Sequence, residues 1–170
     1  KYQWETLPLA MHGVIAKKDG SVVAIHIGEK PEDPVFGVSD LLIHLSGDQM
    51  EKKGAKVIEG EALDILVGSM PLEAKTEEEK KVKTLVLKIL KETYGVEEED
   101  FLSAEIEIVP AGQARDYGFD RSMIMGYGHD DRVCAYPSFS AIMEMEAPER
   151  TSVCLLVDKE EIGSVGATGM

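Results

Sequence analysis

Carboxylates stand at two junctions in this sequence where a predicted strand ends or a predicted helix begins. Glu160 and Glu161 follow the apolar run of residues 152–157, which predicts a buried strand. Asp130 precedes a stretch with a helical pattern. Because an unpaired buried carboxylate is costly, acids at such positions are expected to be solvated, paired or bound to a cation. Divalent cations take carboxylate oxygens as ligands, and a further carboxylate can act as a general base. Acidic turns are also common, so the residues alone leave both interpretations open.

The composition excludes some classes of protein. The 170 residues include 32 Asp and Glu against 18 Lys and Arg, which gives a formal net charge of −14. Nucleic-acid binding requires a basic surface, so we expect no nucleic-acid partner. No apolar run has membrane-spanning length and no signal peptide is visible, which predicts a cytoplasmic protein without membrane contact. Cys134 and Cys154 form no CxxC pair and are interpreted as buried, reduced thiols.

The elements before residue 125 are predicted to be rich in β-structure. Residues 9–17 and 21–28 are β-rich runs joined by Asp19-Gly20, which predicts a hairpin. His12 and His26 lie in these runs and are interpreted as structural. Further predictions are a helix over residues 40–52 capped by Ser39, a helix that starts at the capping box of residues 76–79 and ends at Gly95, and an alternating strand over residues 101–109.

The remaining residues are predicted to be one slice of an α/β layer. Residues 111–131 are interpreted as a long polar loop, residues 131–146 as a helix that Pro137 limits, and residues 152–157 as the final strand. The fold class predicted for the whole chain is therefore α+β. The chain begins without Met and ends inside a predicted loop, so we expect a piece of a longer protein.

Several short motifs, in order along the chain, together resemble one enzyme family, the aminopeptidase I/aspartyl aminopeptidase family of dinuclear zinc exopeptidases. The chain is most similar to the bacterial branch of that family. The matching segments are residues 1–4, 8–14, 43–45, 108–112 and 118–124, then Gly128-His129-Asp130-Asp131-Arg132 with residues 133–136, and finally residues 157–164 with Glu160-Glu161-Ile162-Gly163.

The resemblance implies roles for four residues. Asp130 matches the carboxylate that bridges two zinc ions, and Glu161 matches a ligand of one of them. Glu160 matches the general base that takes a proton from the water bridging the two ions. His44 matches a lid histidine that reaches the substrate in a neighbouring subunit's active site. Cobalt or manganese could take the place of zinc, because two carboxylates do not select among these metals.

The resemblance also implies a domain organisation. Residues 1–124 would form a β-rich lid and dimerisation domain with inserted helices, and residues 125–170 an incomplete part of the catalytic α/β domain. Expected partners are peptide substrates and further copies of the chain, in dimers that assemble into a tetrahedral, dodecameric particle. The family's other metal ligands, from an upstream His-x-Asp segment and from a downstream Asp and His, have no match here. The isolated chain is therefore expected to be inactive.

Two functions from different classes follow. The first is a metal-dependent aminopeptidase that hydrolyses N-terminal residues from peptides, with this chain as one part. The second is a non-catalytic lid and oligomerisation module of such an enzyme. A calcium-binding domain is a third option, but the sequence contains no Asp-x-Asp-x-Asp-Gly loop to support it.

Overall fold

The computed structural model of the chain describes residues 6–73, 76, 81–157 and 162–163. The strands are β1 (Leu9–Ala16), β2 (Val22–Ile27), β3 (Gly37–Val38), β4 (Ile65–Leu66), β5 (Ala104–Pro110), β6 (Arg115–Tyr117) and β7 (Met123–Met125). The α-helices are α1 (Gly47–Met50), α2 (Val82–Tyr94) and α3 (His129–Met143), and 3-10 turns cover Ile43–Leu45, Gly54–Lys56, Gly60–Ala62 and Glu98–Ser103. The chain divides into two units, Lys1–Ala114 and Arg115–Met170. None of the helices in the described ranges is long and apolar enough to cross a membrane.

The first unit is built on an antiparallel sheet with the strand order β2-β1-β5. The predicted hairpin is confirmed, since β1 and β2 are joined by a turn in which Lys17 N donates to Ser21 O at 2.8 Å. Asp19 Oδ1 accepts hydrogen bonds from the hydroxyl and the amide of Ser21, and these bonds lower the pKa of Asp19. Gly20 supplies the positive φ of 84° that this turn requires.

The core of the first unit lies on one face of the sheet. Ile15, Ile25 and Ile27 are buried there together with Val96, which follows α2. The buried side chains of β2 occupy every second position, as is typical of a strand with one face in the core. Apolar burial of this kind is the main term that holds the hairpin against the rest of the unit.

Helix α2 ends where the sequence predicted but begins later. Gly95 adopts the left-handed conformation, and Val96 N donates to Leu90 O, which closes the helix as expected. The helix begins at Val82 with Lys81 as its N-cap, so Thr76 does not cap it. The Glu residues of the predicted capping box, at positions 77–79, lie outside the described residues.

The long helix predicted over residues 40–52 is wrong. Leu42 is extended, with φ −56° and ψ 147°, and this breaks the segment into a 3-10 turn and the one-turn helix α1. The Asp40 carboxylate accepts a hydrogen bond from Leu41 N at 2.6 Å, and it also accepts one from the side chain of Gln49. Side chains that bond to nearby backbone in this way compete with regular helix, which explains the error.

The strand predicted over residues 101–109 is confirmed from Ala104 onward. Glu98–Ser103 forms a 3-10 turn, with Glu97 and Asp100 making a reciprocal capping box. Leu102, at the start of the predicted strand, lies in this turn and is 91% exposed. The capping box of Glu97 and Asp100 therefore stabilises a 3-10 turn where the alternating pattern favoured the first residues of a strand.

The second unit contains a hairpin that the sequence did not predict. Strands β6 and β7 pair with Arg115 opposite Met125, within the segment interpreted as an irregular loop. The turn signal was present, because Gly118 has φ 88° and Asp120 Oδ1 accepts hydrogen bonds from the amide and hydroxyl of Ser122. Helix α3 confirms the helix predicted near residues 131–146, with Pro137 inside it.

The prediction of a buried strand at residues 152–157 is wrong for this structure. Residues 151–157 have no regular secondary structure, and Val153 and Leu155 are 71% and 73% exposed. A strand forms only beside another strand that satisfies its backbone groups, and no described residue pairs with this segment. Mixed helix and strand is thus the observed fold class, while the division into lid and catalytic layer stays a prediction.

Gly13 sets the distance between β1 and β5, and its replacement tests the central sheet. A Cβ at Gly13 would lie 2.0 Å from Glu105 O and 2.9 Å from Ile106 Cα, both in backbone that cannot move away easily. We expect Gly13→Ala to lower the free energy of unfolding by about 1–3 kcal/mol, the usual cost of overpacking. The measurement is urea denaturation of the 170-residue chain.

Gly37→Ala is the matched control, because a Cβ at Gly37, in β3, meets no atom within 4 Å. It should leave the denaturation midpoint nearly unchanged. Equal stability of the two variants would contradict the steric role of Gly13.

Candidate active site

Asp130 lies on the surface at the start of α3. Gly128 precedes the helix in the left-handed conformation, with φ 77°. Asp130 (φ −88°, ψ 112°) and Asp131 (φ −112°, ψ 24°) have non-helical backbone, and the peptide bond between them is cis. Regular helix therefore begins only after these two acids. The Asp130 side chain is left exposed at the helix start.

Two hydrogen bonds hold the backbone on either side of Asp130. His129 Nε2 donates to Ile124 O at 2.9 Å and so ties the start of α3 to β7. Arg132 Nη1 donates to Gly128 O at 2.9 Å and folds back over the turn. Arg132 is thus bound to the turn itself.

The Asp131 carboxylate contacts the side chain of Cys134, whereas Arg132 binds Gly128 O. The Cys134 thiol hydrogen-bonds to the Asp131 carboxylate, and this bond, followed by the negative charge of Asp131, raises the pKa of Cys134. Cys134 is exposed and Cys154 is half-buried, so the prediction of two buried thiols is wrong. The pattern Asp-x-x-Cys at the start of a helix was the signal for this contact, since residues three apart are neighbours there.

His44 lies on the 3-10 turn Ile43–Leu45 in the first unit and is exposed. The turn is anchored by Ser46, which is 1% exposed and donates from both its amide and its hydroxyl to Ile43 O, at 3.3 and 3.0 Å. Leu42 and Leu45 on either side of His44 are 70% and 69% exposed. The turn therefore presents a histidine on an apolar surface.

Two of the four predicted site residues, Asp130 and His44, lie among the described residues. Asp130 and His44 lie in different units, and Glu160 and Glu161 lie outside the described residues. Among residues 6–73, 76, 81–157 and 162–163, no group of three or more His, Cys, Asp or Glu side chains is arranged to hold a metal.

The carboxylate oxygens of Asp130 are nevertheless chemically suitable metal ligands. Its carboxylate offers two oxygens on an exposed turn, and such an oxygen is an ordinary zinc ligand. Zinc needs about four ligands, so one carboxylate alone does not complete a site.

The chain matches a class of zinc metalloproteases. A family described as Aminopeptidase I zinc metalloprotease (M18) matches residues 1–170, and the chain belongs to this family. The resemblance drawn from the motifs is thereby confirmed.

Individual members of the family are strongly similar to the chain. The "Probable M18 family aminopeptidase 1" of Clostridium acetobutylicum is 65% identical over 170 residues, which is 100% of this chain and 36% of that protein. The crystal structure of aminopeptidase I from the same organism superposes with a TM-score of 0.83 at 63% identity, covering 98% of this chain and 36% of that one. The M18 aminopeptidase structure from Thermotoga maritima superposes with a TM-score of 0.82 at 49% identity over the same shares. The chain thus spans a little over a third of the length of these relatives.

The contact between Asp131 and Cys134 predicts a change in thiol reactivity. Because the carboxylate stabilises the protonated thiol, Asp131→Asn should lower the pKa of Cys134 and increase its thiolate fraction at pH 8. We expect faster alkylation of Cys134 by iodoacetamide in the variant, measured by mass spectrometry of the EDTA-treated chain. Cys154 in the same molecule is the internal control, and its rate should not change. An unchanged or slower rate at Cys134 would contradict the contact.

Proposed function

We propose that the whole protein is a zinc-dependent aminopeptidase that releases N-terminal residues from peptides, and that this chain supplies part of its active site. The family match over residues 1–170 carries the proposal. The exposed Asp130, held by hydrogen bonds on both sides, supports it, because a bridging ligand must be presented on fixed backbone. The chain's share of about 36% of its relatives makes the activity a property of the longer protein.

The residues of the chain have separate tasks in this proposal. Asp130 and Glu161 would hold zinc, Asp130 between two ions and Glu161 on one. Zinc, when bound, supplies Lewis acidity that makes water a nucleophile at neutral pH. The Glu160 carboxylate accepts a proton from the attacking water and returns it to the nitrogen of the leaving amine. A positioned general base of this kind contributes roughly 10²- to 10⁴-fold to the rate.

The first unit is proposed to act as lid and as oligomerisation surface. His44 sits on an exposed turn between Leu42 and Leu45, and contiguous exposed apolar side chains are typical of protein–protein contacts. We place substrate contact by His44 in a neighbouring subunit, within dimers that build a larger particle. The same surface supports the second candidate function, in which this segment is a non-catalytic module that binds partner subunits.

Residues 152–157 also fit a larger assembly of strands. Their side chains are apolar and exposed in this structure, and their backbone has no ladder partner among the described residues. We propose that in the whole protein they pair within a catalytic sheet. That pairing would place Glu160 and Glu161 just past a strand end, where open α/β sheets bind ligands.

Substitution of the two glutamates in the full-length protein tests their different roles. Glu160→Gln keeps the shape of the side chain but removes the base, so kcat should fall by roughly 10²- to 10⁴-fold with zinc content unchanged. Glu161→Ala removes a ligand, so zinc content should fall together with activity. Activity is followed with an aminoacyl-nitroanilide and zinc by atomic absorption.

Glu149→Gln is the matched control, because Glu149 is an exposed acid in the second unit with no assigned role. Its activity and zinc content should equal those of the parent protein. Near-normal turnover of Glu160→Gln would refute the assignment of the base.

The isolated chain distinguishes the enzyme part from the module. We expect the 170 residues alone to hydrolyse no aminoacyl-nitroanilide, since they lack the further ligands that a dinuclear site requires. Sedimentation velocity of the same sample measures self-association. A metal-free dimer supports the module, a monomer argues against it, and measurable hydrolysis would overturn the view that the site is incomplete.

A further inference from the structure

Two histidines and two glutamates converge on one face of the central sheet. The strand register places His12 of β1 opposite His26 of β2 and, on its other side, opposite Glu107 of β5. Glu29 follows β2 and reaches back to His12. Side chains opposite one another on adjacent strands lie on the same face, so the group forms a row across the sheet.

The pairing of β1 with β2 brings the two histidines especially close. Lys17 N donates to Ser21 O at the end of this ladder, which makes Lys17 and Ser21 a hydrogen-bonded pair. Hydrogen-bonded and non-hydrogen-bonded pairs alternate along an antiparallel ladder. His12 and His26 therefore form a non-hydrogen-bonded pair, the kind whose side chains approach more closely. Their ring centroids lie 5.5 Å apart with an angle of 72° between the planes.

Glu29 determines which nitrogen of His12 carries hydrogen. His12 Nε2 lies 2.7 Å from Glu29 Oε1, and a carboxylate can only accept, so Nε2 must donate. Glu29 is itself held, because its Oε2 accepts a hydrogen bond from Gly112 N at 3.3 Å. In neutral His12 the other nitrogen, Nδ1, then carries a lone pair.

That lone pair faces the second imidazole. His12 Nδ1 and His26 Nδ1 are 3.4 Å apart, at the long end of the distances at which one ring nitrogen can donate to another. Two nitrogens bound to one zinc ion at 2.0–2.1 Å with tetrahedral angles are about 3.4 Å apart. The spacing therefore suits two ligands of one cation.

The surroundings also favour a cation. A histidine that ligates a metal almost always donates its other N–H to a carboxylate or carbonyl, and the bond from His12 to Glu29 has this form. The side chains of His12 and Glu29 are 33% and 31% exposed, which leaves the group open to solvent ions. Glu29 and Glu107 place two acidic residues beside the histidines.

We propose that His12 and His26 form a two-histidine chelate for a borderline divalent cation such as zinc, with Glu29 as the residue that orients His12. Imidazole nitrogen suits zinc, copper and nickel, whereas calcium and magnesium prefer oxygen. Water molecules fill the positions that the two histidines leave. The cation links β1 to β2, and by mass action it stabilises the sheet. The chelate uses none of the four residues assigned to peptide hydrolysis.

Zinc titration of the 170-residue chain, followed by calorimetry and thermal unfolding, tests the chelate. The parent chain should bind one zinc ion at this pair and show a higher Tm with zinc. His12→Phe and His26→Phe keep a ring but remove the nitrogens, and each should abolish this binding and the zinc-dependent rise in Tm. Glu29→Gln should weaken binding by about 10- to 100-fold, as expected for an orienting residue.

Two control variants separate this site from other zinc binding. His44→Phe makes the same substitution at an exposed histidine of the same unit, and it should bind zinc like the parent chain. Asp130→Asn removes the proposed bridging ligand and should also leave this binding unchanged. Loss of binding in Asp130→Asn, with retention in the His12 and His26 variants, would assign the zinc to residues of the peptidase site and overturn the chelate.

A direct readout in the parent chain does not depend on any variant. Long-range ¹H–¹⁵N spectra of the imidazoles should show the Nδ1 resonances of His12 and His26 moving together on addition of one equivalent of zinc. Zinc-independent Nδ1 resonances would show that the row is only a chain of hydrogen bonds from Glu29 through His12 to His26. That result would overturn the proposal whatever the peptidase assays of the longer protein show.

Discussion

Strand β1 is the element on which the first unit depends, because it is hydrogen-bonded on both edges. It pairs with β2 on one side and with β5, far away in sequence, on the other. Close approach of β5 is possible because Gly13 has no Cβ, as the 2.0 Å from an ideal Cβ to Glu105 O makes clear. One face of the strand buries Ile15 against Ile25 and Val96. The other face carries His12, so the same register that builds the core also aligns the histidines.

In the second unit, the backbone at the start of α3 is held by hydrogen bonds, and it carries an exposed acid, Asp130. Asp130 has an extended ψ of 112° and so stands before the regular turns of α3. His129 and Arg132 fasten the two sides of this turn to backbone carbonyls. The two side chains therefore fix the position of Asp130 through its backbone and do not contact its carboxylate. A held backbone with an uncontacted carboxylate suits a metal ligand, because the oxygens of a ligand must stay available to the metal.

The similarity to longer M18 proteins offers a reason why several apolar segments of this chain are exposed. Val153 and Leu155 are exposed, and so are Leu42 and Leu45 in the first unit. Apolar surface on this scale is unfavourable in water and is normally covered by other parts of the protein or by another subunit. The chain spans about 36% of the length of its relatives, so most of the structure that could cover these side chains in the relatives has no counterpart here.

The sequence by itself determined the local features and the family. The Asp19-Gly20 turn, the stop at Gly95, the alternation in β2 and the helix containing Pro137 all depend on residues that are neighbours in the chain, and each was predictable for that reason. The motifs around Asp130 and Glu160 identified the family without any coordinates. The structure also showed where one local preference prevails over another, as at Leu42, whose extended backbone follows the bond from Leu41 N to Asp40 and breaks the helix that the pattern favoured. It also decided that residues 152–157 pair with no strand among the described residues, since a strand depends on partners elsewhere in the chain. The distance from His12 to His26 and the bond from Glu29 to His12 follow from the strand register and from a loop folding back, and no spacing in the sequence states either of them.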